Sequence, residues 1–373
     1  MLRFLTAGES HGKALTAVLE GLPAGLRLSE DDLAPQMLRR QLGYGRSARM
    51  KLEPDRVEIV SGLMNGETIG GPLALRIENR DVRTEEPPLT RPRPGHADLA
   101  GAMKYGFKDV RRALERASAR ETAARVAVGA VCRIFLAEFG VRVFSHVIEV
   151  GGIAIARRPE GWDEIPELAE ASELRCVDPE AEARMREAIE QAKKDGDTLG
   201  GVFEVVALGV PPGLGSYVHW DRKLDGRLAQ AVMSIHAVKG VEVGPGFEIA
   251  RTPGSRAHDE ILYDRDRGFY RETNRSGGTE GGVTTGAALV VRGAMKPLST
   301  LMTPLRSVDL QSKEPVKGAV VRSDVCAVPA AGVVGEAMVA VVLADAFLEK
   351  FGGDSMADIR AAYDAYSARV REM

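Results

Sequence analysis

The sequence is poor in cysteine. Cys132, Cys176 and Cys326 are its only three. They are odd in number, far apart and without C-x-x-C spacing. That argues against a disulfide framework and against a zinc site, and it fits a reducing, cytoplasmic setting. The chain also lacks a strong charge of either sign. A net charge of −3 gives no reason to expect nucleic acid or an anionic membrane surface as a partner. No apolar run approaches the roughly 20 residues that span a bilayer. The stretch 332–347 comes closest, and Glu336 and Asp345 interrupt it. No charged-then-apolar targeting pattern opens the chain, and no linker or low-complexity segment divides it. No G-x-G-x-x-G follows a candidate strand, which weakens a dinucleotide-binding oxidoreductase from the start.

What is there describes an ordinary globular protein. The 373 residues are 44% apolar and 28% charged, enough to bury a large core. We expect one large α+β domain over residues 1–373. Strands are expected at 1–7, 56–63, 72–77, 141–148, 201–210 and 281–292. Helices are expected at 33–41, along a long region 98–139 that breaks near Gly106, from Asp178-Pro179 to Gly196, around Leu224 to Ile235, at 336–351 and at 355–373. The proline-rich stretch 85–95 reads as an extended surface loop. Several strands start after glycine pairs, at Gly70-Gly71, Gly200-Gly201 and Gly281-Gly282. This hints at an internal pseudo-repeat, although glycine commonly punctuates strand starts.

Five segments carry candidate chemistry. Gly8-Glu9-Ser10-His11-Gly12 matches the G-x-S-x-G nucleophile elbow. An elbow needs oxyanion donors from an earlier strand–loop, and only seven residues precede Gly8. Nor is it a phosphate loop, which needs four residues between its glycines and Ser or Thr after the Lys. What remains is a histidine in a tight glycine-flanked turn, suited to proton transfer near neutral pH or simply structural.

The second segment is Arg93-Pro94-Gly95-His96-Ala97-Asp98, where His96 precedes the long helix as a neutral donor, an acceptor or a capping element. In the third, Arg116-Ala117-Ser118-Ala119-Arg120-Glu121-Thr122, Arg116 and Arg120 are four apart on one helical face, and Glu121 can pair with Arg125. The fourth, 274–286, holds five glycines and five hydroxyl or amide residues in thirteen positions. That density of exposed backbone N–H groups suits a phosphate or cofactor. Lys296-Pro297-Leu298-Ser299-Thr300 follows the next strand. The fifth is Arg322-Ser323-Asp324-Val325-Cys326, in which Asp324 is either a paired surface carboxylate or a catalytic one. Two arginine groups, one with Arg39, Arg40, Arg46 and Arg49 and one from Arg111 to Arg125, suit a small polyanion or a solvated face.

Taken in this order, these segments resemble those of the chorismate synthase family over about residues 5–351. GESHG at 8–12, the His96 loop, RASARETAARVAVGA at 116–130, AVKGVEVGPGF at 237–247, GGTEGG at 277–282 and RSDVCAVP at 322–329 carry the likeness. The resemblance implies a β-α-β sandwich, a homotetramer, and the 1,4-trans elimination of phosphate from 5-enolpyruvylshikimate-3-phosphate to give chorismate. It implies reduced FMN without net redox change, the flavin being reduced by NADPH or by an external flavin reductase. It places the catalytic histidines at His11, which would protonate the departing phosphate, and at His96, which would protonate or stabilise the reduced flavin. Asp324 matches the family's catalytic aspartate. Flavin contacts carry over to Arg116, Ala117, Ser118, His236, Ala237, Gly281, the 296–300 run and Arg322. Substrate phosphate or NADP falls to Arg40 and Arg46, with Arg49 and Ser10 as further substrate candidates. One departure is His236, where the family often has Asn.

Two rival functions stay open at this stage. A flavin-dependent NAD(P)H oxidoreductase would consume NADPH stoichiometrically, and a non-catalytic phospho-ligand binding protein would not bind flavin.

Overall fold

A computed structural model describes residues 1–46, 55–83, 85–321 and 324–373. Arg49 and Arg322 lie outside the described residues.

Two antiparallel sheets enclose a layer of helices. The first half of the chain runs β1 (Arg3–Ala7), β2 (Ala14–Glu20), α1 (Glu30–Gln41), β3 (Val57–Ser61) and β4 (Leu73–Glu78), then α2 (Asp98–Tyr105), α3 (Arg111–Arg116) and α4 (Thr122–Ala137). The second half runs β5 (Arg142–Val150), α5 (Ile165–Ala171), α6 (Pro179–Asp195), β6 (Gly201–Leu208), α7 (Leu224–Met233), β7 (Val238–Val243), β8 (Leu289–Met295) and α8 (Val328–Phe351), with α9 (Met356–Arg371) at the end. The sheets have the orders β1-β2-β4-β3 and β5-β6-β8-β7, the second extended at β5 by the short strand Ile153–Ala154. In each, the four strands pair in the sequence first, second, fourth, third. Each has a helix between its second and third strands, α1 or α7, and closes on a long core helix, α4 or α8. The glycine pairs do not mark this repetition, since they precede the fourth strand of one sheet, the second strand of the other and a strand of a separate hairpin.

Local chemistry explains most boundaries. Asp178 accepts from the amides of Glu180 and Ala181 at 3.1 and 3.2 Å and starts α6, and Gly196 stops it in the left-handed region at φ 68°. Helix α1 begins at Glu30, three residues before the apolar pattern, because Glu30, Asp31 and Asp32 suit a helix N-terminus and Ser29 donates its amide to Asp32 at 2.8 Å. The long region 98–139 breaks twice. Gly106 ends α2 at φ 69°. After α3, Ser118 caps a 3₁₀ turn over Ala119–Glu121, accepting from the Arg120 amide at 3.2 Å.

Three expectations are corrected. Strands β2 and β7 and helix α5 have no counterpart among the expected elements. Residues 281–292 are not one strand, since a short hairpin strand Val283–Thr284 precedes β8. Helix α8 starts at Val328, with Pro329 in its first turn, because the run to Gly335 is apolar all round and shows no period. This 24-residue helix is long and apolar enough to cross a membrane, but 94% of its apolar window is buried in the core.

Helix α4 lies on β2 and β4, helix α8 lies on β5 and β6, and the two helices pack on each other. Their crossing is tight at Gly129, where a Cβ would come within 2.2 Å of Ala337 Cβ. Glu336, one residue before that crossing, is buried and bonded by Ser145 Oγ at 2.6 Å, by Arg39 at 2.6 and 2.8 Å, by Arg175 at 3.3 Å and by Arg133. Burial works against its charge, but three guanidiniums hold the carboxyl down to about 2.

Candidate functional site

A cavity of about 500 Å³ opens at one end of the helical layer. The β1–β2 loop, the 93–97 loop, the break after α3, the residues following α7, the loop following β8 and the start of α8 form its walls. Of the expected residues, it gathers Ser10, His11, Arg40, Arg46, His96, Ala117, Ser118, His236, Ala237, Lys296, Leu298, Ser299, Thr300 and Asp324.

The turn bearing His11 is held on both sides. Gly8 sits at φ 107°, and a Cβ there would lie 2.4 Å from the Ala14 carbonyl oxygen. Asn79 donates to the carbonyls of Glu9 and Gly12 at 3.0 and 2.9 Å. His11 Nδ1 meets Glu115 Oε1 at 2.8 Å. Ser10 is buried and its hydroxyl accepts from Ser118 Oγ at 3.2 Å, so it pairs with a hydroxyl rather than with a base.

On the next wall, His96 Nδ1 is bound to the buried carboxylate of Asp98, which Arg93 also grips. Burial would raise the Asp98 pKa. The hydrogen bonds from His96 and Arg93 outweigh it and hold the carboxyl well below its usual range. Lys296 Nζ donates to the Gly95 carbonyl at 3.0 Å and ties the β8 loop to the His96 loop.

The basic wall is built on one buried carboxylate. Asp55 binds both Arg40 and Arg120, and Arg120 Nε also donates to Asn79 Oδ1 at 2.9 Å. Arg40 Nε and one terminal nitrogen of Arg120 have no hydrogen-bond partner among the described residues. Two cavity guanidiniums thus retain donors for an anion. Arg46 Nη1 lies 2.8 Å from Asp324 Oδ2, so Asp324 is both paired and part of the wall.

His236 follows α7. Burial lowers its pKa from the usual histidine value, with Arg125, His96 and Arg116 acting in the same direction and Glu121 opposing, so the ring is neutral near pH 7. Its Nδ1 is buried without a partner among the described residues. Ala237 beside it takes φ 65°, a left-handed conformation that costs a residue with a Cβ about 1 kcal/mol and is common at functional sites. The remaining floor is apolar, with Leu114, Ile235, Met295 and Val334.

Three expected residues are not brought in. Arg116 turns its guanidinium to Thr6, donating to the carbonyl and hydroxyl oxygens at 3.0 and 2.9 Å, and Arg120 takes the place at the cavity. The break at Ala117 and Ser118 ends the helical face that the two arginines would have shared. Pro297 is not part of the wall. Gly281 lies in the turn of the hairpin Thr279–Glu280/Val283–Thr284. Gly282 of that turn accepts from the Leu224 amide at 2.9 Å, which places it at the opposite end of α7 from His236. The glycine-rich segment 274–286 is therefore a packed hairpin outside this cavity. Sequence reasoning gave no role to Asp55, Arg93 or Glu115. Arg93 and Arg120 lay inside quoted motifs, but Asp55 and Glu115 carried no local signal.

A family profile described as Chorismate synthase matches residues 2–348. Similar curated proteins include the chorismate synthases of Geobacter metallireducens, 58% identical over the whole of both chains, and of Aquifex aeolicus, 54% identical over 99% of this chain and 98% of that one. A solved structure titled "Crystal Structure of Chorismate Synthase" is 48% identical, with a TM-score of 0.84 over 100% of this chain and 99% of that one.

Proposed function

The chain belongs to the chorismate synthase family, and we propose that this cavity performs the family's elimination with phosphorylated substrate against the arginines and reduced FMN against the apolar floor. The reaction is that of a lyase in aromatic amino-acid biosynthesis. 5-Enolpyruvylshikimate-3-phosphate loses phosphate and a ring hydrogen in a 1,4-trans sense and becomes chorismate.

One observation carries the reading. His11, His96 and the part-paired guanidiniums of Arg40 and Arg120 line one cavity. Arg40, Arg46 and Arg120 bind the phosphate and stabilise the charge that develops as it leaves. His11 gives a proton to the departing phosphate oxygen. His96, its Nδ1 fixed by Asp98, presents its other nitrogen to the cofactor, and Asp324 sits across the cavity to take part in hydrogen removal. Reduced flavin, when bound there, would supply electron density to the allylic system that loses phosphate. Ala117, Ser118, His236, Ala237, Lys296, Leu298, Ser299 and Thr300 would hold it, with the orphaned Nδ1 of His236 available for a hydrogen bond. NADPH or an external reductase keeps the flavin reduced. The working assembly is a homotetramer in the cytoplasm.

The test is phosphate release from substrate under anaerobic conditions. Release with reduced FMN and none with oxidised FMN is expected, without stoichiometric NADPH consumption. Steady release with oxidised flavin and no reductant would overturn the reading. His11→Ala and His96→Ala should each slow turnover strongly while the protein stays folded.

A further inference from the structure

Glu115 spends its whole carboxylate on one residue. Oε1 meets His11 Nδ1 at 2.8 Å and Oε2 accepts from the His11 amide at 2.7 Å. Its own carbonyl accepts from the Ser10 amide at 3.1 Å. Glu115 stands in the last turn of α3, immediately before the break that forms the adjoining wall. Both side chains are largely buried, with 14% of His11 and 17% of Glu115 accessible. Burial would raise the Glu115 pKa, but the ring and amide of His11, with the charge of Arg111, hold it below its usual range. Glu115 is therefore a carboxylate, an acceptor only.

An acceptor at that position requires the proton on Nδ1. Nε2 is then the ring atom that gains and loses a proton, as in other carboxylate–imidazole pairs. Asp81 Oδ2 lies 3.8 Å from Nε2, but that carboxylate is gripped by Arg83 through two bonds of 2.7 Å.

We propose that Glu115 is a positioning residue for the elimination: by holding the ring and the amide of His11 together, it keeps a proton on Nδ1, so that the imidazolium presents Nε2–H to the departing phosphate and is left as the Nδ1–H tautomer. In the step, the carbon–oxygen bond breaks, its electron pair stays on the phosphate oxygen, and the Nε2 proton moves to that oxygen. Nδ1–H remains bonded to Glu115 throughout. This rests on His11 as the proton donor.

The experiment compares Glu115→Gln, Glu115→Asp and His11→Ala in the full-length protein, with melting curves as a check on folding. Glutamine keeps the shape of the side chain but offers one acceptor where two are needed, so it cannot serve both the ring and the amide. Long-range ¹⁵N–¹H spectra of the free enzyme should show His11 as Nδ1–H in the wild type and wholly or partly as Nε2–H in Glu115→Gln. Turnover number should fall about 10- to 100-fold, the range for removing a partner that orients a functional histidine, with KM and flavin affinity near wild type. Glu115→Asp should recover part of both signals. An unchanged tautomer, or wild-type turnover in Glu115→Gln, overturns the proposal. Wild-type turnover in His11→Ala would instead remove the role of His11, and the spectra of the free enzyme would still report on Glu115.

Discussion

Asp98 Oδ1 lies 2.5 Å from His96 Nδ1, and the same carboxylate takes three hydrogen bonds from Arg93, from its backbone N, Nε and Nη2. One fully buried anion thus fixes an imidazole of the cavity wall and neutralises a buried guanidinium. Asp98→Asn removes the charge and leaves Arg93 buried and unpaired. Breaking one side of such a pair costs about 3–5 kcal/mol. The variant should melt well below the wild type in thermal scans, and a change in melting temperature within error would contradict the arrangement.

Acid should unfold the protein through buried carboxylates. Glu336 and Glu204 are both held at about 2, against an ordinary 4.5. Burial opposes this in each case. The charges of Arg39, Arg133 and Arg175 overcome it at Glu336, and His146 and Arg292 do so at Glu204. A depressed pKa stabilises above the unfolded value and is lost as pH falls through the folded one. The stabilisation, on the order of 3 kcal/mol for each group, is therefore complete above about pH 4.5 and disappears between there and about pH 2. Denaturant midpoints measured at pH 7, 4.5 and 3 should be level over the first interval and fall over the second. Glu204→Gln should flatten that fall.

The crossing of α4 and α8 leaves no room at Gly129. A methyl group there would lie 2.2 Å from Ala337 Cβ and 2.4 Å from its Cα, and overpacking typically costs 1–3 kcal/mol, occasionally more. Gly129→Ala should destabilise the chain by about 3 kcal/mol in chemical denaturation. Adding Ala337→Gly should recover part of the loss, which would place the clash at this contact and distinguish it from a change in helix propensity. Additive losses in the double variant would refute it.

At position 236 the relevant property is a neutral hydrogen-bonding group. Burial keeps the imidazole uncharged, and an asparagine amide can play the same part. His236→Asn should bind FMN within about threefold of wild type. His236→Ala should bind roughly tenfold more weakly, the order of one hydrogen bond. Quenching of flavin fluorescence on titration reads both, and equal affinity for all three proteins would show that the side chain makes no contact.

Much was legible locally. The cap at Asp178 and the stop at Gly196 define α6 through backbone hydrogen bonds a few residues apart. The histidine turn was legible as well, since Gly8 and Gly12 flank His11 within five consecutive residues. The repeat was not legible in the glycine pairs, which fall at unlike places in the two halves; the shared strand order appears only once the strands pair.

Long-range contacts decided the rest. Arg116 and Arg120 are four residues apart and would share a face if the helix ran on. Ser118 caps a new turn instead, so Arg116 reaches Thr6 while Asp55 and Asn79 draw Arg120 to the cavity. Glu115 finds His11 across 104 positions, and Glu336 finds Arg39 across 297. No local pattern announces such pairs, because the free energy that forms them comes from burial shared between distant segments. The sequence by itself determined the family, the cap and stop of α6 and the two histidine motifs. The tertiary structure alone decided which charges face each other, since a buried carboxylate persists only where folding delivers its cations.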